Sequence, residues 1–156
     1  MLVGGATDGK LNQPYRISGD MDAAGRNRVE FDDRAWATGR SSLGCAGWRY
    51  PTTDRRDGGR LLRRHFAGSH AGVRRAVLVL SSTSSIEVCL NGGLLLRREK
   101  TGDFEMIDVT ERFDRLIEPG DNVLAIRVAP ESGSEPFFDC ALLVELPSLQ
   151  RSAGAP

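Results

Sequence analysis

The sequence predicts an all-β fold, a two-sheet antiparallel β-sandwich, and three observations predict it. Seven segments between residues 61 and 146 carry strand patterning, each bounded by turn residues. Two of them flank Asn91-Gly92, the dipeptide best suited to a two-residue hairpin turn. Composition agrees, since 18 Gly and 7 Pro with only 6% aromatic residues suit a protein of short strands and turns. At 156 residues the chain reads as one domain, large enough to bury a sizeable core.

Residues 1–14 are Gly-rich and read as a flexible lead-in, 15–146 as a single sandwich domain, and 147–156 as a polar tail. Residues 15–60 are poor in periodic apolar positions and rich in Gly, Asp, Arg and Ser, so long loops with one or two short strands are expected there. Strands are expected over 61–66, 73–80, 86–90, 94–98, 104–109, 122–129 and 137–146. Ile86, Val88 and Leu90 alternate with Glu87 and Cys89, the period of a half-buried strand. Asn91-Gly92 follows at once and supplies the two positive-φ positions of a type I′ turn.

The stretch from Asp108 to Val128 has its own punctuation. Asp108 or Thr110 can cap a short helix on which Phe113, Leu116 and Ile117 share one face. Pro119-Gly120 stops that helix and Asp121-Asn122 completes a turn. Leu124, Ile126 and Val128 then face one way and Val123, Ala125 and Arg127 the other, as in an antiparallel sheet with one solvated face.

Read in order, Arg63-Arg64-His65-Phe66, Ala76 to Leu80, Ile86 to Gly92, Asp108-Val109-Thr110 and Pro119 to Val128 form a series. The series resembles the galactose-binding-like jelly-roll domains, and among them is similar to the sugar-binding domain of family-2 glycoside hydrolases such as β-galactosidases. Upstream, Phe31-Asp32-Asp33-Arg34-Ala35-Trp36, followed by Gly39 and Leu43-Gly44, looks like the approach segment common in those domains, with Trp36 in the core. The resemblance spans residues 29–146. It implies a jelly-roll topology, a non-catalytic carbohydrate-binding or accessory role, and a secreted or periplasmic context. In the family-2 enzymes the catalytic acids lie on a separate barrel domain, for which this chain has no residues left. One departure is the Ser81-Ser82-Thr83-Ser84-Ser85 loop, which carries hydroxyls where related domains often show acidic residues.

Charge excludes some function classes. Lys plus Arg and Asp plus Glu both number 21, so neither a nucleic-acid partner nor a membrane surface is indicated. No apolar run approaches the length of a membrane span, and the first residues lack the basic and apolar regions of a signal peptide. The compartment stays open, as does whether the chain is an excised domain. Cys45, Cys89 and Cys140 show no CxxC spacing and no zinc site. Cys140 shares a strand face with Phe138 and Leu142 and is expected as a buried thiol, with Cys89 beside Glu87 less buried.

No catalytic arrangement is expected. His65 and His70 are the only histidines and read as structural or surface residues. Asp32 or Asp33 reads as the cap of a turn before Trp36. Asp20 and Asp22 offer alternate oxygens for a structural calcium of the kind many such jelly rolls hold, but two carboxylates fall short of six to eight oxygen ligands. The doubled arginines, Arg63-Arg64 and Arg74-Arg75 among them, point to opposite strand faces, with Arg63 and Arg75 expected on solvated ones.

The candidate ligand site is the loop carrying Trp48, Arg49, Tyr50 and Asp54, where aromatic, cationic and acidic groups gather outside any expected strand. The apolar face of a sugar ring stacks on Trp or Tyr while polar neighbours fix its orientation. The alternative is a loop folded over the open end of the sandwich with Trp48 as its plug. The expected function is therefore a non-catalytic carbohydrate-binding or accessory module with no cofactor. The alternative is a structural or protein-interaction jelly roll that packs on another chain or domain. The partner is a carbohydrate or a protein domain, with no nucleic acid and no membrane.

Overall fold

Alternation of apolar and polar residues along the strands produces two stacked sheets with a shared interior. The structure, a computed structural model, describes residues 2–3, 14–39, 59–68, 72–101, 103–129 and 137–146. The elements run β1 (Leu2–Val3), β2 (Tyr15–Ser18), β3 (Ala37–Gly39), β4 (Arg60–Gly68), β5 (Arg75–Ser82), β6 (Ile86–Leu90), β7 (Gly93–Arg98), β8 (Glu105–Asp108), α1 (Thr110–Leu116), β9 (Gly120–Val128) and β10 (Phe138–Glu145).

Four strands form one sheet in the order β1-β10-β5-β8, and six form the other in the order β3-β2-β4-β9-β6-β7. Every pairing is antiparallel. From β4 onward the chain shuttles between the sheets, which is the jelly-roll habit. Each of the seven expected strands is present, displaced by no more than a few residues at its ends. Leu2 and Val3 pair with Leu143 and Leu142, so the four-stranded sheet takes an edge strand from within the expected lead-in.

The core lies between the sheets. Leu62, Leu124 and Ile126 from the larger sheet meet Leu78, Leu80 and Leu142 from the smaller one. Leu94 to Leu96 depart from simple alternation. A bulge in the β6–β7 pairing opposes Val88 and Cys89 with Leu96 and Leu94, which leaves Leu95 as the extra residue. Leu95 and Leu96 are consequently both buried, while Leu94 is exposed.

The short helix forms where its spacing predicts. Phe113 and Ile117 are buried in the core and Leu116 packs against it. Val109 occupies the N-cap position, but the cap is supplied by Asp108, whose Oδ1 accepts from the backbone N–H of Thr110 at 3.0 Å and from its hydroxyl at 2.6 Å. These hydrogen bonds hold the Asp108 carboxyl below its ordinary pKa.

Asn91 and Gly92 both have positive φ, +49° and +90°, as the I′ turn requires. Asn91 also does something that turn chemistry does not predict. Its Oδ1 accepts from Val123 N–H at 2.9 Å, and its Nδ2 donates to Leu116 O at 2.9 Å and to Asn122 Oδ1 at 2.6 Å. Asn122 is fully buried and donates through Nδ2 to the carbonyls of Glu118 and Gly120, both at 2.8 Å. Its Oδ1 also accepts from Glu118 N–H. The two amides knit the hairpin turn to the end of α1 and the start of β9.

Replacing Asn122 leaves several buried backbone groups without partners. Asn122→Ala is expected to destabilise the fold by about 2–4 kcal/mol in urea denaturation. Asn91→Gly keeps the turn conformation but loses its side-chain bonds, and should cost about 1–2 kcal/mol. Losses under about 0.5 kcal/mol, the range of ordinary surface substitutions, would rule the amide pair out as a structural tie.

Candidate functional site: the covered face of the six-stranded sheet

Strand alternation that sends Leu62, Leu124 and Ile126 inward sends Leu61, Arg63, Ala125 and Arg127 outward, with Glu87 and Cys89 beside them on β6. A sandwich usually leaves such a face to water. Here residues 20–36 cross it. That segment is built from turns. Asp20 Oδ1 accepts from Asp22 N–H at 3.1 Å, Arg28 N–H donates to Gly25 O at 2.9 Å, and Asp32 Oδ1 accepts from Arg34 N–H at 3.1 Å. Gly25 sits at φ +72°, a conformation that favours glycine. Asn27 Nδ2 reaches Gly92 O at 3.3 Å and ties the segment to the hairpin.

The anchor is Arg63, the largest fully buried side chain among the described residues. Its Nε donates to Asp33 Oδ2 at 2.9 Å. Nη1 donates to the carbonyls of Arg26 and Arg28 at 2.5 and 3.1 Å, and Nη2 to those of Arg28 and Phe31 at 3.1 and 3.4 Å. All five guanidinium protons thus find acceptors. The cation also lies 4.9 Å from the centre of the Phe31 ring, which meets Trp36 edge-on at 5.3 Å. His65 Nε2 stands 3.2 Å from Asp33 Oδ2 and 3.3 Å from Arg63 Nη2. Carrying a proton there, it donates to Asp33 and completes a three-residue polar cluster.

The expectation that Arg63 faces solvent is therefore corrected. It occupies an outward strand position, but residues 26–33 close over it, and only tertiary packing could reveal that. Trp36 is corrected too, since it is half-buried against Phe31 and not part of the sandwich core. Of the two aspartates before it, Asp32 makes the expected turn, and its carboxyl is held well below the usual range by hydrogen bonds from Arg34. Asp33 instead binds Arg63. Cys89 and Cys140 are both free and buried. Burial, with Glu87 nearby, pushes the Cys89 thiol up, and burial pushes Cys140 up further.

The cover leaves little space beneath it. The cleft between Arg26, Asn27, Trp36, Leu61, Cys89 and Arg127 measures about 20 Å3, room for one water. Beside it, towards the β6–β7 edge, a groove of about 160 Å3 is lined by Ser85, Glu87, Arg97, Arg98, Glu99 and Arg127. Arg97, Glu87, Arg127 and Leu61 stand in register across β7, β6, β9 and β4. Arg97 donates to Glu87 Oε2 through Nε at 3.2 Å and Nη2 at 2.5 Å. This polar row was not anticipated as a site. Its signal in the sequence is the pair of charged residues, Glu87 and Arg127, within the otherwise apolar stretches 86–90 and 123–128.

The loop residues Trp48, Arg49, Tyr50 and Asp54 lie outside the described residues, as do Cys45, His70 and the 147–156 tail. For calcium, the Asp20 carboxylate is committed to its turn, and no group of three or more His, Cys, Asp or Glu side chains placed to hold a metal occurs among the described residues. These residues do not fit a structural calcium.

No protein-family model and no curated protein matches the chain. Solved structures do match. A glycosyl hydrolase family 2 member from Bacteroides cellulosilyticus aligns with a TM-score of 0.62 at 16% identity, over 87% of this chain and 20% of its own. A β-glycosidase from Bacteroides vulgatus aligns with a TM-score of 0.60 at 17% identity, over 87% of this chain and 20% of its own. A β-glucuronidase from Bacteroides uniformis aligns with a TM-score of 0.59 at 14% identity, over 85% of this chain and 17% of its own. The chain thus shares the fold of a β-sandwich found in family 2 glycoside hydrolases, and it spans about a fifth of the length of these structures.

Removing the partner of a buried cation costs more than the pair contributes, because the charge stays behind. Asp33→Ala should destabilise the chain by about 3–5 kcal/mol. In a Cys45→Ser background it should also speed the reaction of Cys89 with a thiol reagent and trypsin cleavage at Arg26, Arg28 and Arg34. Unchanged thiol and trypsin rates would mean that residues 20–36 are held without Arg63 and Asp33.

Proposed function

We propose that the chain is a non-catalytic carbohydrate-binding or accessory module. The observation that carries this reading is the alignment of most of the chain with only a fifth of each family 2 glycoside hydrolase. Four of the described carboxylates support the same reading. Glycosidic cleavage uses two carboxyl groups facing each other across a sugar. Asp32, Asp33, Glu87 and Asp108 are instead each engaged by an arginine of the chain itself. Sugar stacking falls to the loop bearing Trp48 and Tyr50, flanked by Arg49 and Asp54, because the cleft beside Trp36 holds no more than a water.

A second reading has its own observation. On the outer face of the four-stranded sheet, Met106, Val79 and Ala141 stand in one row across β8, β5 and β10, and Asp108, the buried Val77 and Leu143 in the next. Met106 is 67% exposed and Phe104 46%. Such an apolar face favours packing against another domain.

A glycan array probed with the purified chain, with calcium and with EDTA, separates the two. A reproducible hit supports the carbohydrate module, whereas a blank from folded protein moves the weight to domain packing. If the loop holds the sugar, Trp48→Ala weakens binding by about 1–3 kcal/mol and leaves the thermal midpoint unchanged. A large fall in the midpoint would instead identify Trp48 as a plug of the sandwich.

A further inference from the structure

We propose that the groove on the six-stranded sheet is a site for an acidic sugar, with Arg127 taking the carboxylate and Glu87 a ring hydroxyl. The proposal rests on the carbohydrate-module reading and adds a second, charge-based site to it.

The charges around the groove differ in how they are engaged. Arg97 is bound to Glu87, Arg98 lies 3.7 Å from Glu105, and Arg26 donates to Ala23 O at 3.3 Å. Arg127 has no hydrogen-bond or ion-pair partner among the described residues, although it is half-buried. It is held in register between Leu61 and Glu87 on neighbouring strands, so its backbone is fixed on both sides. A guanidinium with a free fork matches the two oxygens of a planar anion.

Glu87 supplies the complementary half. Its Oε2 accepts both bonds from Arg97. Among the described residues its Oε1 receives only the weak thiol contact of Cys89 at 3.9 Å, which leaves acceptor capacity for a hydroxyl. The groove is lined by three arginines, Arg97, Arg98 and Arg127, and two carboxylates, Glu87 and Glu99, and this net positive balance favours an anionic ligand. The groove of about 160 Å3 is on the scale of one sugar ring, and the Ser85 hydroxyl and Glu99 lie on its wall. Among the described residues no aromatic side chain lines it. Recognition there works through charge and hydroxyl bonding, which distinguishes an acidic sugar from a neutral one that needs a stacking surface.

The test is a two-dimensional amide NMR titration of the labelled chain with methyl β-D-glucuronide, methyl β-D-glucoside and inorganic phosphate in parallel. The glucuronide should shift residues 85–87, 97–99 and 127 and bind at least about tenfold tighter than the glucoside. Arg127→Gln should reduce glucuronide binding to the glucoside level. Glu87→Gln should weaken it several-fold, and both variants should keep the wild-type thermal midpoint. If Arg127→Gln does not fold, Arg127→Lys keeps the charge, loses the fork, and should still weaken binding. Unchanged glucuronide binding by the folded variant overturns the site. Equal binding of the glucoside, or phosphate binding as tightly as the glucuronide, also overturns it. Neutral-glycan binding that is lost in Trp48→Ala and kept in Arg127→Gln, with no glucuronide shifts, overturns the acidic-sugar site and leaves the module reading standing.

Discussion

The buried guanidinium of Arg63 is the interaction on which this architecture turns. A cation taken out of water is costly unless its donors are all met and a counter-charge is close. Asp33 provides the charge, and the carbonyls of Arg26, Arg28 and Phe31 take the remaining protons. The dependence is mutual. Residues 20–36 contain no strand or helix, so their carbonyls have no ladder to join. One side chain rising from β4 gives several of them a partner. The covering of Cys89, the closing of the cleft and the placement of Trp36 all follow from where that side chain points.

The same device recurs at the hairpin. Asn91 and Asn122 serve backbone groups at the end of α1 and the entry to β9 that no ladder reaches. Ser82 and Thr101 do so where β5 leaves the sheet, with Ser82 N–H donating to Thr101 Oγ1 at 2.8 Å and Ser82 Oγ donating to Ser84 O at 2.7 Å. The hydroxyl-rich turn after β5 is therefore a structural polar knot. Among the described residues, the Tyr15 hydroxyl and Arg64 Nε are buried without a hydrogen-bond partner. The Tyr15 ring lies 5.9 Å from the Arg64 guanidinium, and burial pushes the Tyr15 phenol above its ordinary pKa while lowering that of Arg64.

The two outer faces of the sandwich differ in chemistry, and that difference organises the functional reading. The smaller sheet shows apolar rows suited to packing. The larger sheet shows a turn-built cover and, beside it, a row of alternating charge with one unpartnered guanidinium. A rigid antiparallel scaffold fixes both, because every strand but those at the edges is paired on two sides. The proposed accessory role would use both, the apolar rows to seat on a neighbour and the charged row to hold a ligand.

The elements were legible in the sequence because their determinants are local. Alternation at Ile86 to Leu90, the Asn91-Gly92 turn, and the helical spacing of Phe113, Leu116 and Ile117 each act within a few residues. The ordered motifs from Arg63 to Val128 carried the jelly-roll likeness for the same reason. The fate of Arg63, Trp36 and the groove at Glu87 and Arg127 was not legible. A strand position states which face a side chain takes, but not what lies on that face. Asp33 stands thirty residues from Arg63, and Arg127 forty from Glu87. By itself the sequence determined the strands, their turns and the buried stripe of each. Only the tertiary structure decided which outward charges are sealed and which stay open, because burial of a charge depends on partners brought together by long-range packing.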